Sequence, residues 1–412
     1  MKVLWFTNTP PATVNGGGKY NGGGWVDALS RSMPSSVNLA ISYITNEKKP
    51  ESVSDGIFWY PVYNKYDMGR GDRLLKMLGL TIMMERHWVL SSMLRVIEEF
   101  KPDVIEVFGS ERIYGLVAQH TAIPVVLHVQ GLLGECWKRF LPPGMTMLKF
   151  FSSGHTLSGM FAKMYYARSF KARCDQERKI LSNTKYFIGR TDWDKHCIGE
   201  LPQCPVYFHL EEMLREPFYD NAGKWKGLDN ENITLMTTIS EAPFKGMDVV
   251  LRTAAVLKNE YGLKFRWLVY GNVDIPFYEA FTGVDAESVG VVPCGVADAR
   301  TLSSALTGTS VYVHTSYIEN SPNSLCEAQI VGVPSVASEV GGIPSIVSEG
   351  ETGLMVPSGD AARYAEAIRK LLTDKTLAER ISANSVKAAL VRHDRRKIVS
   401  GLVSIYGQLA GE

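Results

Sequence analysis

Val311-Tyr312-Val313-His314-Thr315-Ser316-Tyr317-Ile318-Glu319-Asn320-Ser321-Pro322-Asn323-Ser324-Leu325-Cys326-Glu327-Ala328-Gln329 is the stretch whose reading decides the fold. A short β-type run, Val311–His314, leads into a turn rich in Ser and Asn and then into a helix carrying Glu327. Glu319 and Glu327, with seven residues between them, bracket that turn. Free N–H groups in the turn and the positive end of the helix dipole favour a phosphate there, while each carboxylate can accept sugar or ribose hydroxyls. The alternative is local: Ser321 or Asn323 serves as a plain helix N-cap. Downstream follow Gly332-Val333-Pro334-Ser335-Val336-Ala337, Val340-Gly341-Gly342-Ile343-Pro344 and Thr352-Gly353-Leu354-Met355-Val356-Pro357.

Outward from this block, strand-like runs alternate with helical patterns. The first half contains Lys2–Phe6, Asn38–Thr45, Asp103–Phe108, Pro124–His128 and Lys185–Ile188, with a long helical stretch over Leu74–Phe100. The second half restarts with Ile233–Ile239, Phe265–Tyr270, Gly290–Pro293, Val311–His314 and Pro334–Ser338. Alternation of this kind predicts parallel sheets with crossover helices, and two series predict two doubly wound α/β domains. A polar linker near 211–231 separates them, giving domains over 1–215 and 225–395 and a C-terminal helix over 396–412 that packs back on the first domain.

Composition excludes several classes. The 412 residues carry 44 Lys+Arg against 43 Asp+Glu, and 45% are hydrophobic. That balance is of an ordinary globular chain and gives no overall electrostatic reason to bind nucleic acid. No apolar run reaches the roughly 18 residues of a membrane span, and the apolar start is too short for a signal peptide. The six cysteines form no CxxC pair, so neither a disulfide framework nor a zinc site is expected, and the expected compartment is the cytoplasm.

The E-x7-E pair, followed in order by G-x-P-x-x-A, G-G-x-P and T-G-L-x-V-P, resembles retaining glycosyltransferases of family 4. That resemblance implies the GT-B fold, two Rossmann-like domains facing across a cleft, and transfer of a sugar from a nucleotide-diphosphate donor to a glycan or lipid-linked acceptor in polysaccharide or glycolipid biosynthesis. By the same resemblance Glu319 contacts donor-sugar hydroxyls, Glu327 holds the ribose, and Asn320, Ser321, Asn323, Ser324 and Leu325 cradle the sugar and diphosphate. Gly17 and Gly18 of the glycine-rich loop Asn15–Trp25 approach the donor, and Gly22, Gly23 and Gly24 the acceptor side. No Walker A signature ends that loop, and no ribose acid follows it at the dinucleotide-fold spacing. Family members generally place Gly-Arg shortly before Lys-Gly; here Ser240 stands where the Arg is expected and Lys245 remains, so Arg190 in Ile188-Gly189-Arg190-Thr191 is the candidate substitute cation. His128, at a strand end, is the candidate active-site histidine.

Asp192-Trp193-Asp194 matches the metal–diphosphate motif of the other large glycosyltransferase fold, but Thr191 followed by acids reads as a helix start. The expectation is therefore no metal and no cofactor. Between Lys138 and Arg173 lie seven basic residues and no acids, interleaved with Met and aromatics. The two readings are a helical insertion with a solvated face and a surface for an anionic membrane or lipid diphosphate at the inner membrane face. Rival functions are a nucleotide-sugar epimerase on the same fold and a non-catalytic sugar-nucleotide-binding protein; a phosphorylase requires a far longer chain.

Overall fold

The computed structural model describes residues 1–8, 24–64, 80–154, 156–229 and 231–411. Its first half runs β1 (Lys2–Thr7), α1 (Gly24–Ser32), β2 (Asn38–Thr45), β3 (Ser52–Ser54), β4 (Ile57–Tyr63), α2 (Leu80–Phe100), β5 (Val104–Phe108) and β6 (Val125–His128). It continues through α3 (Leu133–Lys138), α4 (Met147–Ser152), α5 (Leu157–Asn183), β7 (Tyr186–Gly189), α6 (Asp192–Gly199), β8 (Val206–His209) and α7 (Glu216–Asp220). The second half comprises β9 (Thr234–Thr238), α8 (Met247–Asn259), β10 (Arg266–Tyr270), α9 (Ile275–Thr282), β11 (Val291–Gly295), α10 (Ala299–Thr307), β12 (Val311–His314) and α11 (Asn323–Val331). β13 (Ser335–Ser338), β14 (Leu354–Val356), α12 (Ala361–Thr373), α13 (Lys375–Arg392) and α14 (Arg395–Ala410) complete it.

Two sheets result. The first has the order β3-β4-β2-β1-β5-β6-β7-β8, parallel except for the β3–β4 hairpin; the second, β11-β10-β9-β12-β13-β14, is parallel throughout. β5 (VIEVF) and β12 (VYVH) are buried along their whole length. That is why they read as unbroken apolar runs: helices cover both faces of a parallel sheet. Strand order reverses between β1 and β5 in one sheet and between β9 and β12 in the other. Ligands of open α/β sheets collect beyond the carboxyl ends of strands at such points, which makes Gly109–Arg112 after β5 and Thr315–Asn320 after β12 the chain's natural site segments.

Helix α14 crosses back to the first sheet. Ile398, Leu402, Ile405 and Tyr406 are buried with Val3, Trp5 and Ile41, and the Trp5 indole donates to the Tyr406 hydroxyl at 2.7 Å. Where the sequence predicts helix over Leu74–Phe100, the described helix is Leu80–Phe100; 65–79 lie outside the described residues. Four strands escaped the sequence reading. β3 and β14 are three residues each, β4 contains Pro61, and β8 is an edge strand with partly exposed residues. Short or proline-bearing strands carry little periodic signal.

The basic 138–173 segment runs from the last residue of α3 through α4 and the first part of α5, and most of its large aromatics turn inward. Phe140, Phe150 and Phe170 are buried in one cluster with Phe244, Met247 and Phe277 of the second domain. Ring centroids of Phe150 and Phe277 lie 6.0 Å apart, and those of Phe170 and Phe244 6.1 Å. Lys163 sits 3.6 Å from Asp274 and 3.9 Å from the centre of the Phe277 ring. This part of the segment is an interdomain ledge. Among the described residues of the segment, only Leu148 (76% exposed), Leu157 (75%) and Phe161 (47%) leave large apolar surface in water.

Candidate functional site

The two carboxylates of the 311–329 block have different surroundings. Glu319 Oε1 lies 2.5 Å from Lys245 Nζ and accepts from the Ser316 hydroxyl at 2.9 Å. His314 Nε2 is 3.3 Å from the same oxygen but out of hydrogen-bonding alignment. Burial alone would raise the Glu319 carboxyl; the Lys245 charge and His314 outweigh it and hold the group well below the usual carboxylate range. Glu319 is therefore a fixed anion at neutral pH.

Glycines set its position. Gly341 has φ +52°, and a Cβ there would overlap the Glu319 carbonyl oxygen. A Cβ on Gly342 would strike the Asn320 carbonyl oxygen, and its N–H donates to Glu319 O at 3.0 Å. The Gly-Gly pair exists because its backbone lies directly on that of Glu319-Asn320. Gly246, at φ +80°, likewise has no room for a Cβ beside the Thr315 carbonyl. Around it, the Thr315 hydroxyl donates to Lys245 O at 3.2 Å and Tyr317 N–H to Phe244 O at 2.8 Å. Lys245 and Glu319 are thus held in register by backbone.

Asn320 reaches the first domain: its Oδ1 accepts from the Thr191 hydroxyl at 2.7 Å, and its Nδ2 donates to Gln130 O at 3.4 Å. Helix α11 begins at Pro322 without a side-chain cap, so neither Ser321 nor Asn323 is the plain N-cap of the local reading. Asn323, Ser324 and Leu325 form its first turn, where backbone N–H groups point toward an anion's natural position.

Glu327 is gripped by Arg215, with Nε to Oε1 and Nη2 to Oε2 both 2.7 Å. Burial pushes the Glu327 carboxyl upward against the pull of Arg215, while Glu327 keeps Arg215 above its usual range. Two short, parallel bonds identify a charged pair whose carboxylate is incompletely compensated for its desolvation. Nothing in the spacing of the sequence marked Arg215, which lies in the linker. Its aliphatic chain also packs where a Cβ on Gly24 would sit, 3.1 Å from Cγ and Cδ. Arg215 thus touches the start of α1 as well as Glu327.

Arg190, the substitute cation expected from the sequence, is committed elsewhere. Its guanidinium pairs with buried Glu212, which also accepts from Gln130 Nε2 at 2.9 Å. Ser240 itself is exposed and supplies no charge. His128 is 1% exposed, its ring stacked on Phe108 and edge-on to Trp25. Its Nδ1 lies 2.9 Å from Glu106 Oε1, whose other oxygen accepts from the Tyr406 hydroxyl, and Nε2 has no partner. Asp194 closes a capping box with Thr191 and takes the Tyr207 hydroxyl at 2.5 Å. Gly17, Gly18, Gly22 and Gly23 lie outside the described residues; Gly24 opens α1.

Comparison with solved structures fixes the architecture. Sucrose-phosphate synthase from Thermosynechococcus elongatus superimposes with a TM-score of 0.72 at 15% identity, over 99% of this chain and 98% of that one. WaaG, a glycosyltransferase involved in lipopolysaccharide biosynthesis, gives 0.63 at 13% identity over the full length of both. The fold is GT-B. HepE of Anabaena, solved with UDP and glucose, has the same GT-B arrangement, with a TM-score of 0.65 at 14% identity over 98% of this chain and 99% of its own.

Sequence comparison is narrower. Residues 231–374 match the family model described as Glycosyl transferases group 1. The D-inositol 3-phosphate glycosyltransferase of Streptomyces avermitilis is 31% identical over 156 residues, covering 36% of this chain and 34% of the relative. That of Acidothermus cellulolyticus is 30% identical over 182 residues, covering 41% and 40%. The match thus spans about a third to two fifths of those relatives. Among the described residues, no helix is long and apolar enough to cross a membrane.

Proposed function

We propose that this chain is a retaining glycosyltransferase that moves a sugar from a nucleotide-diphosphate donor to a glycan or lipid-linked acceptor, in polysaccharide or glycolipid biosynthesis. The observation that carries the reading is Glu319: a carboxylate held ionised by Lys245, seated on a glycine pair, at the carboxyl end of β12 and facing the first domain through Asn320. A fixed anion beside the transferred sugar orients its hydroxyls and stabilises positive charge developing at the anomeric carbon. Leaving-diphosphate charge falls to Lys245 and the amides of the first turn of α11. In the same-face mechanism of the family resembled, the leaving phosphate accepts the acceptor's proton, so no protein base is assigned. Glu327 takes the ribose, which requires Arg215 to share it.

No divalent metal is needed in this scheme, since both oxygens of Asp194 already serve Arg190, Thr191 and Tyr207. Attachment to an anionic membrane would use the exposed side chains of Leu148, Leu157 and Phe161, not the buried aromatics. The test is a thermal-shift panel of nucleotides and nucleotide sugars. A donor at a hundred times its dissociation constant stabilises by about 2.7 kcal/mol, and donor turnover with the sugar's anomeric configuration retained in the product is the expected result, unaffected by EDTA. Binding without turnover on any acceptor, or an isomerised sugar from donor alone, overturns it.

A further inference from the structure

Both polar atoms of the Asn320 side chain are engaged by the first domain, Oδ1 by the Thr191 hydroxyl at 2.7 Å and Nδ2 by Gln130 O at 3.4 Å. The amide has one arrangement that satisfies both contacts, since a flipped Asn320 would turn its oxygen on the Gln130 carbonyl. Asn320 is 4% exposed and Thr191 1%, so losing either partner leaves a buried polar group unpaired. The Thr191 end is itself held. Its oxygen accepts from the Asp194 N–H at 3.1 Å to cap α6, and the Asp194 carboxylate takes the Thr191 and Arg190 N–H groups together with the Tyr207 hydroxyl. A hydroxyl whose lone pair serves the cap has one proton to give, and that proton goes to Asn320. The Gln130 end is braced as well: its side-chain amide donates to Glu212, whose charge Arg190 neutralises.

We propose that Thr191 is a positioning residue for Glu319, acting from the opposite domain through Asn320. The inference rests on the transferase reading for what Glu319 does to the sugar; the interdomain strut stands without it. Glu319 and Asn320 are neighbours in the chain, one turned to Lys245 in its own domain and the other to Thr191. Gly342 joins them into one unit. Its N–H donates to Glu319 O, and a Cβ there would lie 2.2 Å from Asn320 O and 2.6 Å from Thr191 Cγ2. Thr191 is therefore packed directly on the glycine that seats Glu319. Next to it, the Asp192 N–H donates to the Ser345 hydroxyl at 3.0 Å, so the start of α6 holds the second domain at two points. Lys245 fixes the charge of Glu319; the strut fixes where its backbone stands against the first domain. The side chain of Asn320 serves that strut, which leaves its backbone for the donor. Misplacing a catalytic group by about 1 Å costs on the order of a hundredfold in rate, so a single buried bond here bears on turnover as well as on folding.

A double-mutant cycle of Thr191→Val and Asn320→Ala, with Thr191→Ser beside it, tests the proposal. Turnover is read as nucleotide diphosphate released from UDP-glucose, GDP-mannose or ADP-glucose, and calorimetry with UDP, GDP and ADP reads free-nucleotide affinity. Thr191→Val is expected to lower kcat about tenfold, the upper scale of one neutral hydrogen bond, with free-nucleotide affinity unchanged. Asn320→Ala is expected to lower kcat at least as much. Thr191→Ser, which keeps the hydroxyl for both cap and strut, is expected to return kcat to within about twofold of wild type. In the Asn320→Ala background, Thr191→Val is expected to leave kcat where it is and still lower the denaturation midpoint, because the cap of α6 is lost in either background. That split separates positioning from a purely structural role. An equal fold-loss of kcat with and without Asn320, or an unchanged kcat in Thr191→Val, overturns the proposal. If wild type releases nucleotide from none of the donors, the transferase reading fails for them and the strut is judged on denaturation midpoints. There, losses from the two substitutions that simply add in the double variant overturn it, and a double loss smaller than the sum upholds the bond.

Discussion

The carboxyl ends of β12 and β5 occupy equivalent places in their sheets, yet they are finished differently. After β12, Glu319 is matched to Lys245, wedged by Gly341 and Gly342, and tied to the opposite domain through Asn320. After β5, Glu111 is pushed up to about 7 by burial and by Glu177, against the pull of Asn8 and Arg173, and the Ser169 hydroxyl is buried without a partner among the described residues. One end is pre-organised, its charges balanced before anything binds. The other leaves its carboxyl, Glu111, pushed up by burial instead of held ionised by a paired cation.

The sharpest way to break the comparison is at Glu319. Glu319→Gln keeps the shape and removes the anion, and kcat is expected to fall by about 10²–10³, the scale of one pre-organised electrostatic contact. Calorimetry with free nucleotide diphosphate is expected to show no loss, because the partner of Glu319 is the sugar. An equal loss in both measurements removes that assignment.

Glu327→Ala probes the neighbouring carboxylate. It strands Arg215 in a mostly buried site, and breaking such a pair costs about 3–5 kcal/mol; the fall in denaturation midpoint reads this directly. Free nucleotide binding is expected to weaken by about ten- to a hundredfold at the same time. The double variant Glu327→Ala/Arg215→Met is expected to recover stability but not nucleotide affinity, which separates the structural pair from the ribose contact.

Gly341→Ala tests whether pre-organisation comes from backbone contact. With φ at +52° and the Glu319 carbonyl in the way, the substitution is expected to cost about 1–3 kcal/mol and to lower kcat by displacing Glu319. The Gly283→Ala variant, also at positive φ but with open space around it, is expected to lose stability through strain and keep kcat.

The smallest effect lies at β5. Glu111 binds a proton in the folded state up to pH about 7, whereas its unfolded carboxyl releases it near 4.5. Folding stability contributed by this group is full below pH about 4.5 and declines as pH rises toward and past 7. Glu111→Gln, which cannot ionise beside Glu177, Asn8 and Arg173, is expected to flatten that decline and to raise Tm by about 2–4 °C at pH 8 relative to wild type. An unchanged pH profile places the Glu111 ionisation outside this range.

Much of the second domain was legible in the sequence. Strand runs fully buried on both faces announce themselves as continuous apolar segments, and Glu319, Glu327 and the glycine pair sit within short, ordered spacings, whereas Lys245, 74 positions before Glu319, is marked only by its own Lys-Gly step. Local rules also placed Asp192 and Asp194 at a helix start capped by Thr191, as the capping pattern predicts. Short β3 and β14 and the proline-bearing β4 were not legible, because pairing rather than propensity makes them strands. Nor was the inward turn of Phe140, Phe150 and Phe170, since composition records which side chains are apolar and not which surface will cover them.

The sequence by itself determined the two alternating α/β series, the carboxylate block at a strand end and the glycines that let backbone approach it, because each depends on residues near one another in the chain. Tertiary structure alone decided the partners drawn from far away. It gave Glu327 to Arg215, 112 positions apart, and Arg190 to Glu212. It bound Trp5 to Tyr406, 401 positions apart, and gathered Arg86, Arg112 and Arg173 around one cavity. Which charges meet is set by how helices and sheets pack, and packing sums small contacts over the whole chain, so no local spacing encodes it.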